Sequence, residues 1–256
     1  MKRTTRRLMP LLLSAIVLVL GISIAHAEDE LLVSAAASLT NAFGEAGKRF
    51  ERLNPGIKAV FNFAASGPLL QQIEQGAPVD VFASADQKTM DQAQEKNLVL
   101  PATRKDFASN GLVLIVPTDA KLPINTLEDL KVKEVGRISL GNPETVPAGR
   151  YSKEALMNEG LWDVLLPKFI LGNTVRQVLD YVSRGEVDAG LVYTTDASQM
   201  KDKVRVVLTA TKHKPISYPI AVVAASRKGE LSQKFIDFVR SQEGQEILSR
   251  YGFGKP

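Results

Sequence analysis

The residues in this chain best suited to chemistry are small and hydroxyl side chains placed where apolar runs give way to helical patterns. Four such junctions stand out: Ala35-Ala36-Ala37-Ser38-Leu39-Thr40-Asn41, Phe63-Ala64-Ala65-Ser66-Gly67-Pro68, Asn142 to Gly149, and Gly172-Asn173-Thr174-Val175-Arg176. The first turn of a helix carries backbone N–H groups without intrahelical acceptors. The aligned peptide dipoles add a partial positive charge there. Small side chains let an anion approach these donors, so converging termini bind an anion without a lysine or arginine. Taken singly, each junction has an ordinary use. Ser38 and Ser66 serve equally as helix caps, and Pro147 before Ala148 suits plain helix initiation. Tyr193 closes the apolar run Asp188 to Tyr193. It offers either a hydroxyl donor at the ligand-binding end of a strand or a half-buried core tyrosine. Spacing alone does not bring these residues together.

The groups that bond-breaking chemistry needs are scarce. Cysteine is absent and histidine occurs twice, at His26 and His213. That excludes thiolate metal sites, disulfides, a cysteine nucleophile and a multi-histidine centre. No Gly-x-Ser-x-Gly elbow, Walker A loop or Gly-x-Gly-x-x-Gly fingerprint is present. Ser198 and Lys201 form an isolated Ser-x-x-Lys, and His213 lies between two lysines in a polar stretch that reads as solvated surface. Asp86 reads as a helix cap and Asp80 as a strand-edge residue. Arg176, at a helix start, is read as an ion-pairing group. No catalytic residue, metal cluster or cofactor is expected.

The elements that must position the junctions follow from periodicity. Apolar runs at 31–36, 58–64, 79–84, 111–117, 137–141, 187–192 and 220–225 predict strands. Helical spacing predicts helices at 39–53, 68–75, 88–96, 126–130, 148–159, 175–183, 231–241 and 243–251. Alternation of the two predicts an α/β fold with mainly parallel strands. No repeat or central linker is visible, so two lobes would be crossed more than once, near Ser109-Asn110 and Ser217-Tyr218.

Residues 1–27 carry Lys2, Arg3, Arg6 and Arg7, an apolar run and Ala25-His26-Ala27. This is the pattern of a cleavable secretory signal peptide. Without it the chain holds 28 basic and 28 acidic residues. The net charge of +4 therefore belongs to the leader. No footprint for nucleic acid or an anionic membrane remains. The expected product is a soluble exported protein.

Several blocks together resemble the periplasmic molybdate-binding proteins, the ModA family of ABC-transporter receptors. They are 35–42, Phe63 to Gly67, Gln75 to Asp86, Val146 to Tyr151, Thr174-Val175-Arg176, Gly190 to Tyr193 and Tyr251-Gly252-Phe253. The resemblance spans nearly all of 31–253. It implies a type II periplasmic binding protein, with two lobes, each a mixed sheet flanked by helices, joined by a two-crossing hinge. The lobes are mapped to 28–108 with 220–256, and to 109–219. The resemblance further implies five contacts to a molybdate or tungstate oxyanion. Ser38 and Ser66 would give hydroxyl and backbone N–H, Ala148 and Val175 backbone N–H, and Tyr193 its phenol. The implied partners are a membrane permease and its ATPase, and a periplasmic monomer is expected. Ala65 departs from the family pattern, removing one auxiliary hydroxyl. The same fold could instead receive sulfate or thiosulfate. An organic anion would call for an arginine clamp, for which only Arg150 and Arg176 lie near the junctions.

Overall fold

The computed structural model describes residues 29–256, so the leader and its cleavage point lie outside the described residues. In chain order the elements are β1 (Asp29–Ala36), α1 (Thr40–Leu53), β2 (Ile57–Ala64), α2 (Ser66–Glu74), β3 (Val81–Ala83), α3 (Gln87–Glu95), β4 (Lys105–Asn110), β5 (Leu112–Pro117), β6 (Ile138–Gly141) and α4 (Pro147–Asn158). There follow α5 (Trp162–Leu165), β7 (Phe169–Gly172), α6 (Val175–Ser183), β8 (Ala189–Tyr193), α7 (Thr194–Ala197), β9 (Val204–Ala210), β10 (Ile216–Val222), α8 (Gly229–Arg240) and α9 (Gln242–Arg250).

Two five-stranded sheets result, ordered β2-β1-β3-β10-β4 and β7-β6-β8-β5-β9. Each forms the centre of one lobe. In the first, β1 runs parallel to β2 and β3, while β10 runs antiparallel to β3 and β4. In the second, β6 runs parallel to β7 and β8, while β5 runs antiparallel to β8 and β9. The mainly parallel reading is therefore corrected to two mixed sheets. The strands that run against the rest of their sheets, β10 and β5, are the two that receive the crossings, so each enters its sheet from the opposite lobe. One crossing is Gly111, between β4 and β5; the other is the segment 211–215, between β9 and β10. Residues 217–218, expected at a crossing, lie inside β10. The first sheet also takes in 109–110 and 216–219.

Amphipathic helices cover the sheets. In α1 the buried residues Ala42, Phe43, Ala46 and Phe50 recur at helical spacing. Phe43 and Phe50 meet Phe235 of α8 edge-on, at ring separations of 5.9 and 5.2 Å. Such pairs contribute about 0.5–1.5 kcal/mol beyond their buried area. The C-terminal helices thus pack as core against the first lobe. On the second lobe α4 lies so close to β6 that a Cβ at Gly149 would come within 2.0 Å of the Gly141 carbonyl oxygen. Only glycine lets the start of α4 seat on the strand end. The helix predicted at 126–130 is instead a short 3-10 turn, Glu128–Lys131. It is set up by the Asp129 carboxylate, which accepts from the N–H groups of Asn125 and Thr126 at 2.9 Å.

Candidate functional site

The sheets meet with the carboxyl ends of β1, β2, β3, β6, β7 and β8 turned toward one cleft. Each of these strands hands over to a helix there. Ser38 lies in a 3-10 turn, Ala37–Leu39, between β1 and α1. Ser66 is the first residue of α2, Ala148 the second of α4, and Val175 the first of α6. Tyr193 ends β8. The structure brings all five together around one small cavity, with a volume of about 10 Å³. Organic-ligand pockets commonly measure roughly 300–1,000 Å³, so this hollow suits something far smaller. The larger grooves on the molecule, of about 560 and 740 Å³, contain none of the five residues.

Every predicted residue is buried, the most exposed being Val175 at 3%. Neither serine caps a helix with its side chain, which disposes of the ordinary reading of both. The Ser66 hydroxyl oxygen accepts from the Ala85 N–H at 3.0 Å. Ser38 Oγ lies 3.0 Å from the hydroxyl of Tyr218. With its oxygen engaged from behind, the Ser66 hydroxyl keeps its hydrogen for the cavity. Tyr193 reaches across the cleft, its hydroxyl donating to the Ala85 carbonyl at 3.4 Å. Burial holds the Tyr193 phenol well above its ordinary pKa, with nearby Tyr218 adding to the effect, so it stays a protonated donor. Thr174 caps α6 by accepting from the Gln177 N–H at 3.1 Å, leaving the Val175 N–H in the donor-rich first turn.

The cavity lining holds no Lys, Arg, His, Asp or Glu. The two arginines near the junctions are engaged elsewhere, and both span the lobes. Arg150 pairs with Asp86 at 2.7 Å and donates to Thr89 Oγ1 at 2.6 Å. Asp86 in turn caps α3, accepting from the Thr89 N–H at 3.1 Å as the sequence suggests. Arg176 pairs with buried Asp196 at 2.5 Å, and donates to Asn41 Oδ1 at 2.8 Å and the Ser38 carbonyl at 3.3 Å. The Arg176 Nε and both Asp196 oxygens lack an aligned hydrogen bond despite that closeness. Burial pushes the Asp196 carboxyl up to about 6, with Arg176 pulling the other way. A further contact ties the lobes at the cleft: the Gly67 N–H donates to the Thr145 carbonyl at 3.1 Å. A Cβ at Gly67 would stand 2.6 Å from that same oxygen, so the approach requires glycine.

Ala85 is the lining residue that sequence reasoning missed. It marks a fifth junction, from β3 to α3, and its signal was the small residue before the Asp86 cap. Tyr218 and Asn110, behind Ser38, gave no such signal, because both sit within strands. His213 is half-buried rather than fully solvated, with its ring nitrogens 2.7 and 2.9 Å from the carbonyls of Lys214 and Ala210. Among the described residues no cluster of His, Cys, Asp and Glu is arranged to hold a metal ion.

Residues 31–254 match the family described as bacterial extracellular solute-binding protein. The chain is 40% identical over 232 residues to the molybdate-binding protein ModA of Escherichia coli (strain K12), covering 88% of this chain and 89% of that one. It is 37% identical over 259 residues to the molybdate-binding protein ModA of Haemophilus influenzae, covering 99% of each. The solved periplasmic molybdate-binding protein of Azotobacter vinelandii superposes with a TM-score of 0.79 at 23% identity, over 88% of this chain and 99% of that one. That last likeness is one of fold: two mixed sheets flanked by helices, the type II periplasmic binding protein.

Proposed function

We propose that this chain, which belongs to the bacterial extracellular solute-binding proteins and among them to the molybdate-binding ModA family, holds its ligand by closing two lobes on one dehydrated tetrahedral dianion. It binds molybdate and serves the ABC import of that anion. The five contacts are Ser38 and Ser66 from the first lobe, and Ala148, Val175 and Tyr193 from the second. The observation that carries this reading is the convergence of these five on one buried cavity lined without a charged side chain.

The chemistry follows from the donors. Each hydrogen bond to an ionic ligand contributes about 1.5–3 kcal/mol net, so a handful offsets the dehydration of a dianion and the cost of association. Neutral donors suit a fully deprotonated oxyanion. An oxyanion that keeps a proton, such as hydrogen phosphate, needs an acceptor and binds poorly. Molybdate and tungstate present nearly the same shape and charge, so the two are held alike. The protein acts as a solute-binding protein: no carboxylate, imidazole or amine lines the cavity to activate its serine hydroxyls for turnover. Hinging occurs at Gly111 and over 211–215, between lobes approximating 28–108 with 220–256 and 109–219. The leader, 1–27, is removed after Ala27, and the chain works as a periplasmic monomer. It passes its ligand to an inner-membrane permease driven by an ATPase.

The test is a thermal-melt series on the purified protein with molybdate, tungstate, sulfate, phosphate and chromate. A ligand that binds only the folded state adds about 2.7 kcal/mol of stability at a hundredfold excess over Kd. A large shift with molybdate and tungstate and little with sulfate is the expected result. A shift with sulfate alone would reassign the ligand to a sulfate-like dianion, and no shift with any oxyanion would overturn the reading.

A further inference from the structure

The Ser38 hydroxyl belongs to a chain of hydrogen bonds that runs back from the cavity to the first crossing between the lobes. Ser38 Oγ lies 3.0 Å from the Tyr218 hydroxyl, and that hydroxyl lies 3.1 Å from Asn110 Nδ2. The same Asn110 nitrogen donates to Thr195 Oγ1 at 2.8 Å. The Asn110 amide has only one sensible orientation. Its other terminus lies 2.9 Å from the Gly111 N–H, a donor that requires an oxygen opposite it. Asn110 Nδ2 therefore faces Tyr218 and can only donate.

The direction of the remaining bonds follows. The Tyr218 oxygen accepts from Asn110. Tyr218 is fully buried, and the one other polar atom within its reach among the described residues is Ser38 Oγ. The phenolic hydrogen thus points to Ser38, the Ser38 oxygen accepts it, and the serine hydrogen is left to point into the cavity. Turning the Ser38 hydrogen away from the cavity and onto Tyr218 would leave the Tyr218 O–H buried without an acceptor, so the arrangement that presents the hydrogen to the cavity is favoured.

We propose that Asn110 and Tyr218 are positioning residues for ligand selectivity: they fix the direction of this hydroxyl chain, so that Ser38 turns its hydrogen rather than a lone pair to the ligand and a proton-bearing oxyanion is disfavoured. The inference rests on the oxyanion reading of the site given above. It adds a cause for selectivity that lies behind the residues touching the ligand. Aligned hydrogen bonds polarise one another, so the same chain also strengthens Ser38 as a donor to a deprotonated dianion.

The chain can be reversed by one substitution. In Asn110→Asp, one carboxylate oxygen keeps the Gly111 N–H and the other accepts from the hydroxyls of Tyr218 and Thr195. Tyr218 then accepts from Ser38, and Ser38 is free to accept from a protonated ligand. Titration calorimetry with molybdate and with phosphate, at mildly alkaline pH where phosphate is a hydrogen-bearing dianion, reads the outcome. The expected result is a shift of about tenfold or more in the molybdate-to-phosphate affinity ratio, toward phosphate; tenfold corresponds to about 1.4 kcal/mol. Tyr218→Phe cuts the chain without reversing it. It should weaken molybdate by roughly two- to tenfold, the range for one neutral hydrogen bond, with no gain for phosphate. A merely structural role for Asn110 would lower both affinities by the same factor. That result, or unchanged molybdate affinity in Tyr218→Phe, overturns the proposal. The unsubstituted protein is the control for the underlying reading: if it takes up no oxyanion at all, the function falls. If it binds molybdate while Asn110→Asp weakens both anions equally, the positioning role alone falls.

Discussion

The two lobes furnish the cavity in different ways. The first presents side-chain hydroxyls, Ser38 and Ser66, each with a polar group behind it: Tyr218 for one and the Ala85 N–H for the other. The second presents the main chain of Ala148 and Val175 at the starts of α4 and α6, with Tyr193 as its one polar side chain. A backbone donor is fixed by the helix that carries it and survives almost any change of side chain. A hydroxyl donor can rotate, so it needs a second group to aim it. One half of the site is therefore vulnerable to substitution at its contact residues, and the other is vulnerable mainly to changes in helix placement.

The largest expected effect comes from filling the cavity that both kinds of donor face. Ser66→Leu places a branched side chain in a hollow of about 10 Å³ at a fully buried position. Ligand-induced thermal stabilisation should vanish, and retained binding would count against convergent termini. Next in size is a matched pair of truncations. Ser38→Ala deletes a donor and should weaken molybdate roughly 10- to 150-fold, the equivalent of about 1.5–3 kcal/mol. Val175→Ala leaves its N–H in place and should change affinity by no more than about twofold, though it removes buried methyl groups and lowers the melting temperature. Equal effects in calorimetry would erase the distinction between the lobes.

Tyr193→Phe removes the one polar side chain that the second lobe gives to the cavity. It should weaken molybdate by about tenfold while leaving the free protein folded, since the lost bond to Ala85 is long at 3.4 Å. Affinity equal to the unsubstituted protein would remove Tyr193 from the site. The smallest effect concerns pH. The buried Asp196 carboxyl is raised from 3.8 to about 6. The folded protein therefore holds this proton more tightly than the unfolded chain does. Its contribution to stability is complete below about pH 4 and is lost as pH rises through about 6. Asp196→Asn should flatten that part of the stability profile, as read by denaturant unfolding at a series of pH values. A slope unchanged by the substitution would assign it to other groups.

The sequence carried the central strands and one edge strand, β2, clearly, and the other three edges poorly. The runs predicted at 31–36, 111–117 and 187–192 meet β1, β5 and β8, which are flanked on both sides within their sheets. The strands it missed, β4, β7 and β9, are all at sheet edges. Each is half-exposed, and β7 has only four residues. An edge strand has a neighbour on one side only and need not be apolar throughout, so its pattern fades. The site divides along the same lines. Ser38, Ser66 and Tyr193 were visible as side chains with donors. Ala148 and Val175 have no side-chain chemistry, and only their place before a helical pattern, together with the family resemblance, drew attention to them.

By itself the sequence determined which residues stand at strand-to-helix junctions and that those junctions carry small or hydroxyl side chains. It also determined that no cysteine, and only one histidine beyond residues 1–27, was available for chemistry. These are local properties, written in spacing of two, three and four residues. The tertiary structure decided that six junctions face one cavity, that Arg150 and Arg176 clasp the lobes rather than line the hollow, and that Tyr218 lies behind Ser38. Ser38 and Tyr218 are 180 residues apart in the chain. No local periodicity encodes a contact at that separation. It exists because the chain returns through its second crossing and lays β10 beside β3 in the first sheet.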